Sequence, residues 1–335
     1  MTEILQVLSS EEKKALRERE MPSWMDPMLA TLTDRRFSDD DWIFERKLDG
    51  ERCIAYRCGD RVRLCSRNRI ALNDTYPEIE EALRAIGPDT IVVDGEIVAF
   101  EDSVTSFSRL QDRIQIRDRA RAQKSGVEVF YYVFDLLYLE GYDTTAVPLR
   151  SRKSLLKEAI TFSDPLRYTM HRNADGEAYY HEACEKGWEG IIAKYARGRY
   201  IHSRSKKWLK FKCVHRQEFV IGGYTEPEGS RIGFGALLLG YYEGDELVYA
   251  GRVGTGFDDE TLTSLSERLQ SLEQDRSPFA GNEAGGEGVH FVAPELVGEL
   301  GFTEWTEQGK LRHPRFEGLR RDKPPEEVVR ERPDG

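Results

Sequence analysis

The chain has 335 residues, 39% hydrophobic and 33% charged, enough apolar material for packed cores and too long for one ordinary domain, so two domains are expected. Its net charge of -11 conceals one segment, Gly190 to Gln217, with nine basic and no acidic residues, which leaves -20 on the rest and marks a local anion attractor. No run approaches roughly 18 apolar residues and no basic-then-apolar start precedes the first domain, which excludes a spanning helix and an export signal.

In chain order, residues 1–21 read as a charged N-terminal arm ending before Pro22. From Trp42 the pattern becomes strand-like: WIFERK, then CIAYRC and RVRLCS joined by the turn Gly59-Asp60. TIVVDGEIVAF and VEVFYYVFDLLYL are two further strand runs. Helices are expected over Tyr76 to Ala85, Ser151 to Ile160 and Gly176 to Lys186, the last stopped by Gly187. Hairpins with inserted helices predict an α+β domain over residues 22–213. Beyond it, over 214–335, EFVIGGYT, FGALLLGYY, LVYAGRVG, GVHFVA and LVGELGFTEWT read as five strands, with a helix from Asp258 to Leu272 after the third. That set fits an OB-fold β-barrel, with a PDZ-like or sandwich domain as the alternative on strand count. Residues 275–288, rich in Gly and Glu, read as a surface loop. Five cysteines, Cys53, Cys58, Cys65, Cys184 and Cys213, include no CxxC pair, which argues against a zinc site or a disulfide framework and fits a reducing cytoplasm.

One lysine stands out. In FERKLDGER, strand alternation puts Glu45, Lys47 and Asp49 on one face and Phe44 and Arg46 on the other, and Gly50 then permits a close turn. A free lysine is neutral in roughly one molecule in 2,500 at pH 7, so using Lys47 as a nucleophile costs about 4.6 kcal/mol unless cations or a dry pocket depress its pKa. The run WLKFK offers Lys210, Lys212 and Trp208 on one strand face, cations that would both depress Lys47 and hold a phosphate. Taken singly, each motif has a plain structural reading. The DGE of Asp94 to Glu96 is a strand bulge with solvent-facing carboxylates, Phe134 is core, and Glu189 is a loop charge.

Taken in order, K-x-D-G-x-R, S-R-N, D-G-E, FDLL, EGIIAK, WLKFK and RRDK resemble the motif series of the covalent nucleotidyltransferases, and within them the ATP-dependent DNA ligases. The stretch ELGFTEWTEQGKLRHPRFEGLRRDKPPEE, Glu299 to Glu327, is similar to the ligase module of bacterial and archaeal end-joining ligases. The likeness covers Met28 to Lys323. It implies a nucleotidyltransferase (adenylation) domain of antiparallel sheets with helices, followed by an OB-fold.

It also implies roles. Lys47 would carry AMP from ATP as a phosphoramidate, assisted by Lys210 and Lys212. Glu45 would meet the adenine edge, Phe134 would stack on the base, Arg52 and Glu96 would lie around the ribose, and Arg67 would meet a phosphate. Glu189 would hold Mg2+ or Mn2+. Arg320, Asp322 and Lys323 would orient pyrophosphate, with Arg321 competing with Arg320 because the family has an acid there. A hinge between Lys212 and Phe219 would let the second domain move between adenylation and sealing. The implied substrate is nicked double-stranded DNA, read through phosphates by residues 190–217. The implied setting is a monomer in the cytoplasm at the nucleoid, in DNA repair or end joining. Separate end-joining proteins of the Ku, polymerase and phosphoesterase types are the partners that the resemblance implies. The alternatives are an RNA ligase or capping-type guanylyltransferase, and a catalytically inactive OB-containing adaptor.

Overall fold

A computed structural model describes residues 3–213, 215–227, 229, 231–281, 283–306 and 308–332. Backbone contacts divide the chain into two units, the first running to Cys213 and the second from there to Arg332.

The first unit is built on two sheets. A larger one is centred on the antiparallel strands Glu51–Cys58, Thr90–Val98 and Phe130–Leu139, with Arg61–Ser66 at one edge. A smaller one has the order His171–Asn173, Trp42–Arg46, Gly190–Tyr195, Arg204–Lys212, Leu29–Leu32. These strands are long runs of Val, Ile, Phe and Tyr, residues suited to a half-buried pleated surface. Helices Pro77–Arg84, Phe107–Ile114 and Leu149–Ala159 contribute to the main core behind the larger sheet. Helix Gly176–Glu185 covers the outer face of the smaller one, where Tyr179 and Ala183 meet Phe44, Ile191, Ala193 and Phe211. Between the sheets lies a third apolar cluster that includes Met28, Ile54, Val92, Phe134, Tyr200 and Trp208. The cleft-facing side chains described below emerge from this layer.

Residues 3–18 are not a separate arm. Leu5 and Leu8 are buried in the main core, and Arg17–Glu18 pairs with Tyr142–Asp143. An apolar pair three residues apart at the start of a charged segment was the signal available in the sequence.

The cysteines also depart from expectation, because Cys184 and Cys213 form a disulfide. They lie 29 residues apart, and only the fold brings the end of the covering helix to the end of strand Arg204–Lys212. Closing a loop of that length restricts the unfolded chain by up to about 3.6 kcal/mol. Urea unfolding with and without reductant should therefore show a loss approaching that size on reduction, and Cys184→Ser should reproduce it.

The second unit is a mostly antiparallel sheet ordered Glu246–Val253, Leu237–Glu243, His215–Thr225, Val289–Phe302, with Glu273–Gln274 and Arg315–Arg320 also pairing with the last of these. It curls as the half-barrel of an OB-fold. Helix Asp259–Ser271 follows the third strand, and Asp258 caps it by accepting from the Thr261 N–H. Two strand expectations need correction. GVHFVA and LVGELGF form one strand, Val289–Phe302, bridged through Ala293-Pro294 with a register shift against Ile221/Gly223. The remaining long strand is RFEGLR, Arg315–Arg320, whose alternating charges hid its pattern. The loop 275–288 is anchored, since Phe279 is buried in this unit's core. Among the described residues no helix is long and apolar enough to cross a membrane.

Candidate active site

The lysine strand follows the predicted alternation. Phe44 faces the covering helix, and the Arg46 guanidinium lies 4.4 Å from the Trp188 ring centre. Glu45 and Lys47 turn to the opposite face. The Lys47 N–H donates to the Gly190 carbonyl at 2.9 Å, which carries the pairing one residue past the strand and fixes the side chain at its end.

The chain then turns at Asp49-Gly50. A Cβ on Gly50 would lie 2.2 Å from the Ile97 carbonyl oxygen, so only glycine allows the approach to strand Thr90–Val98. Asp49 is buried: its N–H donates to Thr105 Oγ1, and its carboxylate accepts from the Phe107 N–H at the start of helix Phe107–Ile114. It secures the turn after Lys47.

Lys47 Nζ is 2.5 Å from Glu189 Oε2. Burial draws the ammonium down, but Glu189 reverses this, and Asp49 and Glu96 add to it, so the pKa is pushed up to about 12. The expected depression of Lys47 is therefore absent, because the nearest charges are carboxylates. Deprotonating it at pH 7 would cost about 7 kcal/mol. Glu189 is correspondingly a buried partner rather than a loop charge.

Lys210 and Lys212 do share this face. The register places Lys210 beside Ile192, whose other neighbour is Glu45, and Lys212 beside Gly190, whose carbonyl holds Lys47. Both lysines are half-buried and engaged in interactions of their own.

Glu45 is buried, with Lys153 Nζ at 2.5 Å from one oxygen and Lys194 Nζ at 2.6 Å from the other. Burial alone would raise its carboxyl, yet the two ammonium groups hold it below the usual carboxylate range. Lys194 thus lies inside the fold, not on the basic surface; burial draws it down, Glu45 partly offsetting this, and it sits 4.1 Å from the ring centres of both Phe134 and Trp208. Arg197, Arg199, Arg204, Lys206 and Lys207 are the exposed part of that segment.

On the facing sheet, Arg52 is held by Asp94 through Nε and Nη2 at 2.5 and 2.6 Å, and its guanidinium lies 4.7 Å from the Phe134 ring centre. Asp94 also accepts from the Tyr200 hydroxyl at 2.6 Å and is fully buried, so the D of DGE points inward even though the backbone there does carry a bulge. The glycine is required: a Cβ on Gly95 would meet Tyr131 and the Tyr132 carbonyl at 2.5 Å. Glu96 pairs across the strands with Arg52 and acts electrostatically on both Arg52 and Lys47.

Lys47, Glu189, Glu45, Arg52, Glu96 and Phe134 are thereby linked through direct contacts, register or charge. Arg67 follows strand Arg61–Ser66, and its Nε and Nη2 are buried without a hydrogen-bond partner. In the second unit Arg320 is half-buried and bridges Glu299 and Asp322, each at 2.7 Å, while Arg321 is exposed. Lys323 lies 3.2 Å from Glu218. The residues that sequence reasoning missed are Lys153, Lys194 and Asp94. Lys194 and Asp94 stand inside quoted motifs, whereas Lys153 lies in an ordinary basic helix with no local signal.

Two antiparallel sheets around a lysine–carboxylate pair, followed by an OB-fold, define a ligase-type nucleotidyltransferase. The family model described as ATP dependent DNA ligase domain matches residues 27–212, and that described as ATP dependent DNA ligase C terminal region matches 230–323. The chain belongs to the ATP-dependent DNA ligase family. It is 38% identical over 325 residues to the multifunctional non-homologous end joining protein LigD of Pseudomonas aeruginosa, covering 94% of this chain and 38% of that protein. A DNA ligase of Hyperthermus butylicus is 31% identical over 86% of this chain and 53% of its own length. The solved structure of mycobacterial DNA ligase D complexed with ATP and MES is 35% identical, with a TM-score of 0.66, and covers 92% of this chain and 98% of that one. The chain spans about two-fifths of the length of the LigD relatives it matches.

Proposed function

We propose that this chain seals 5′-phosphate/3′-hydroxyl nicks in double-stranded DNA through a covalent lysyl-AMP intermediate, in the end-joining branch of DNA repair. The pair formed by half-buried Lys47 and buried Glu189 at 2.5 Å, in a member of the ATP-dependent DNA ligase family, carries the reading. An adaptor that had lost catalysis would have no need to keep a half-buried lysine against a buried carboxylate, since such a pair stabilises little for its desolvation cost.

In the first step the Lys47 nitrogen attacks the α-phosphorus of ATP. A P–N bond forms, the P–O bond to pyrophosphate breaks, and the ammonium proton is released. Lys47 must leave Glu189 as well as lose its proton. Lys210 and Lys212, on the same sheet face, balance charge on the α-phosphate as it transfers, the electrostatic work that dominates phosphoryl chemistry. In the second step the 5′-phosphate oxygen of the nick displaces Lys47 from phosphorus, and in the third the 3′-hydroxyl displaces AMP. The unpartnered guanidinium of Arg67 is suited to a phosphate at either stage, because its planar fork pairs two oxygens at once.

No cluster of three or more His, Cys, Asp or Glu suited to a metal occurs among the described residues, which does not fit a structural zinc site. Mg2+ asks less of a protein, one or two carboxylates with water and phosphate oxygens completing its shell, and Glu189 fits that demand. Bound there, Mg2+ or Mn2+ would supply positive charge against the phosphates and against the Lys47 ammonium.

In the second unit Lys323 is the residue we assign to pyrophosphate. Arg320 bridges Glu299 and Asp322, and the exposed Arg321 is the second arginine of this motif.

The test is sealing of a singly nicked duplex with ATP, compared with the same nick built from RNA strands. Sealed DNA and unsealed RNA are expected; the reverse preference would favour an RNA ligase. DNA contact through the exposed cations of residues 197–207 should make sealing salt-sensitive. A protein neutralising about six phosphates loses roughly a thousandfold in affinity between about 50 and 200 mM salt. A flat response in nick-binding titrations over that range would remove this segment from the DNA interface.

A further inference from the structure

Lys153 belongs to none of the motifs, yet it is one of the most deeply buried charges in the first unit. It projects from helix Leu149–Ala159, donating to Glu45 Oε1 at 2.5 Å and to the Thr169 carbonyl at 3.0 Å, with its ammonium 4.7 Å from the Tyr168 ring centre. The residue before it, Arg152, clamps Asp135, the neighbour of Phe134. One helix therefore fixes both the carboxylate two residues before Lys47 and the strand that bears the aromatic ring.

Hydrogen-bonding capacity in this cluster is not exhausted. An ionised carboxylate offers about four lone-pair sites; Glu45 spends one on Lys153, and Lys194 Nζ lies 2.6 Å from its other oxygen as an ion pair. The Thr169 hydroxyl, on a residue more than nine-tenths buried, has no partner, and neither does His171 Nδ1, on the strand residue paired in register with Glu45. Buried polar atoms left unmade are costly, so these groups around Glu45 and Lys153 call for a polar planar edge.

We propose that Lys153 is a positioning residue for purine choice: it holds the Glu45 carboxylate, charged and fixed in direction, so that the free lone pairs accept the 6-amino group of adenine and repel the 6-oxo group of guanine. Adenine presents a donor at position 6 where guanine presents an acceptor, and a carboxylate can only accept. Lysines alone would invert that preference, since they only donate; tying Lys153 and Lys194 to Glu45 removes them as competitors for a 6-oxo group. A site built to bond a particular polar edge rejects the wrong one strongly, because its own groups are left unpaired. This inference rests on the reading that Lys47 takes AMP from ATP in this cleft.

The test measures initial rates of Lys47 adenylation or guanylation in the full chain with ATP and GTP, for wild type, Lys153→Met, Lys153→Gln, Lys153→Arg, Glu45→Gln and the Lys153→Met/Glu45→Gln pair. Melting curves identify which variants fold. Lys153→Met, or Lys153→Gln if only that one folds, should raise the KM for ATP about tenfold with kcat within about twofold, and should reduce the ATP-over-GTP preference at least tenfold. Lys153→Arg should restore most of both. The double variant should show no greater loss of preference than Glu45→Gln alone, as expected for residues acting through one another. Unchanged KM and preference in folded Lys153 variants, additive losses in the double variant, or full ATP preference in Glu45→Gln would each overturn the proposal. The Glu45→Gln arm decides the matter even if no uncharged Lys153 variant folds. A wild-type chain that takes AMP from no ATP concentration would instead overturn the reading beneath it.

Discussion

Lys47→Ala should accept no AMP from ATP, yet should still seal a nick supplied with AMP already on its 5′-phosphate. The lysine nitrogen forms a bond only in the first step and leaves in the second, so its removal deletes those two and spares the third. Lys47→Arg should fail equally, because a guanidinium with a pKa above 12 is not deprotonated in proteins. Survival of the third step in either variant would also show that the cleft is intact. Gel assays with a pre-adenylated nicked duplex separate the two losses. Failure on both substrates, with an unchanged melting curve, would mean that Lys47 does more than carry AMP.

The largest effect on folding is expected at Arg152. Its guanidinium and the Asp135 carboxylate are both fully buried, joined at 2.6 and 2.7 Å, with Nη1 also donating to the carbonyls of Val147 and Gly198. Such a pair adds little net stability against a well-packed apolar alternative, but removing one partner strands a charge. Arg152→Met should therefore cost about 3–5 kcal/mol in urea unfolding, a large part of the 5–15 kcal/mol typical of folded proteins. Arg152→Met with Asp135→Leu should recover most of it. If the single variant lost under about 1 kcal/mol, the pair could not be what orders Phe134 for the base.

What could be read without coordinates was local and periodic. Strand alternation placed Glu45 and Lys47 on one face and Phe44 on the other, and the same rule put Trp208, Lys210 and Lys212 together. Helix Gly176–Glu185 ended where Gly187 required it. What could not be read depends on distant partners. The resting state of Lys47 is decided by Glu189, 142 residues away, and a carboxylate neighbour reverses the pKa shift that two lysines were expected to give. Arg52 was expected at a sugar, but Asp94 already holds it, so any contact with ribose must use what remains of its fork. Lys194 looked like one more surface cation in a basic run until its strand position buried it against Glu45. The Cys184–Cys213 bond escaped notice because spacing rules for disulfides concern small frameworks, not two residues joined by a helix-to-sheet packing.

The intact mass of the full chain after incubation with ATP and a divalent cation, followed by peptide mapping, tests the covalent intermediate most directly. One adenylyl group should appear, on the peptide that contains Lys47, and added pyrophosphate should remove it. No adduct with any nucleotide and metal, or an adduct mapped to another residue, would contradict the assignment of Lys47 as the nucleophile.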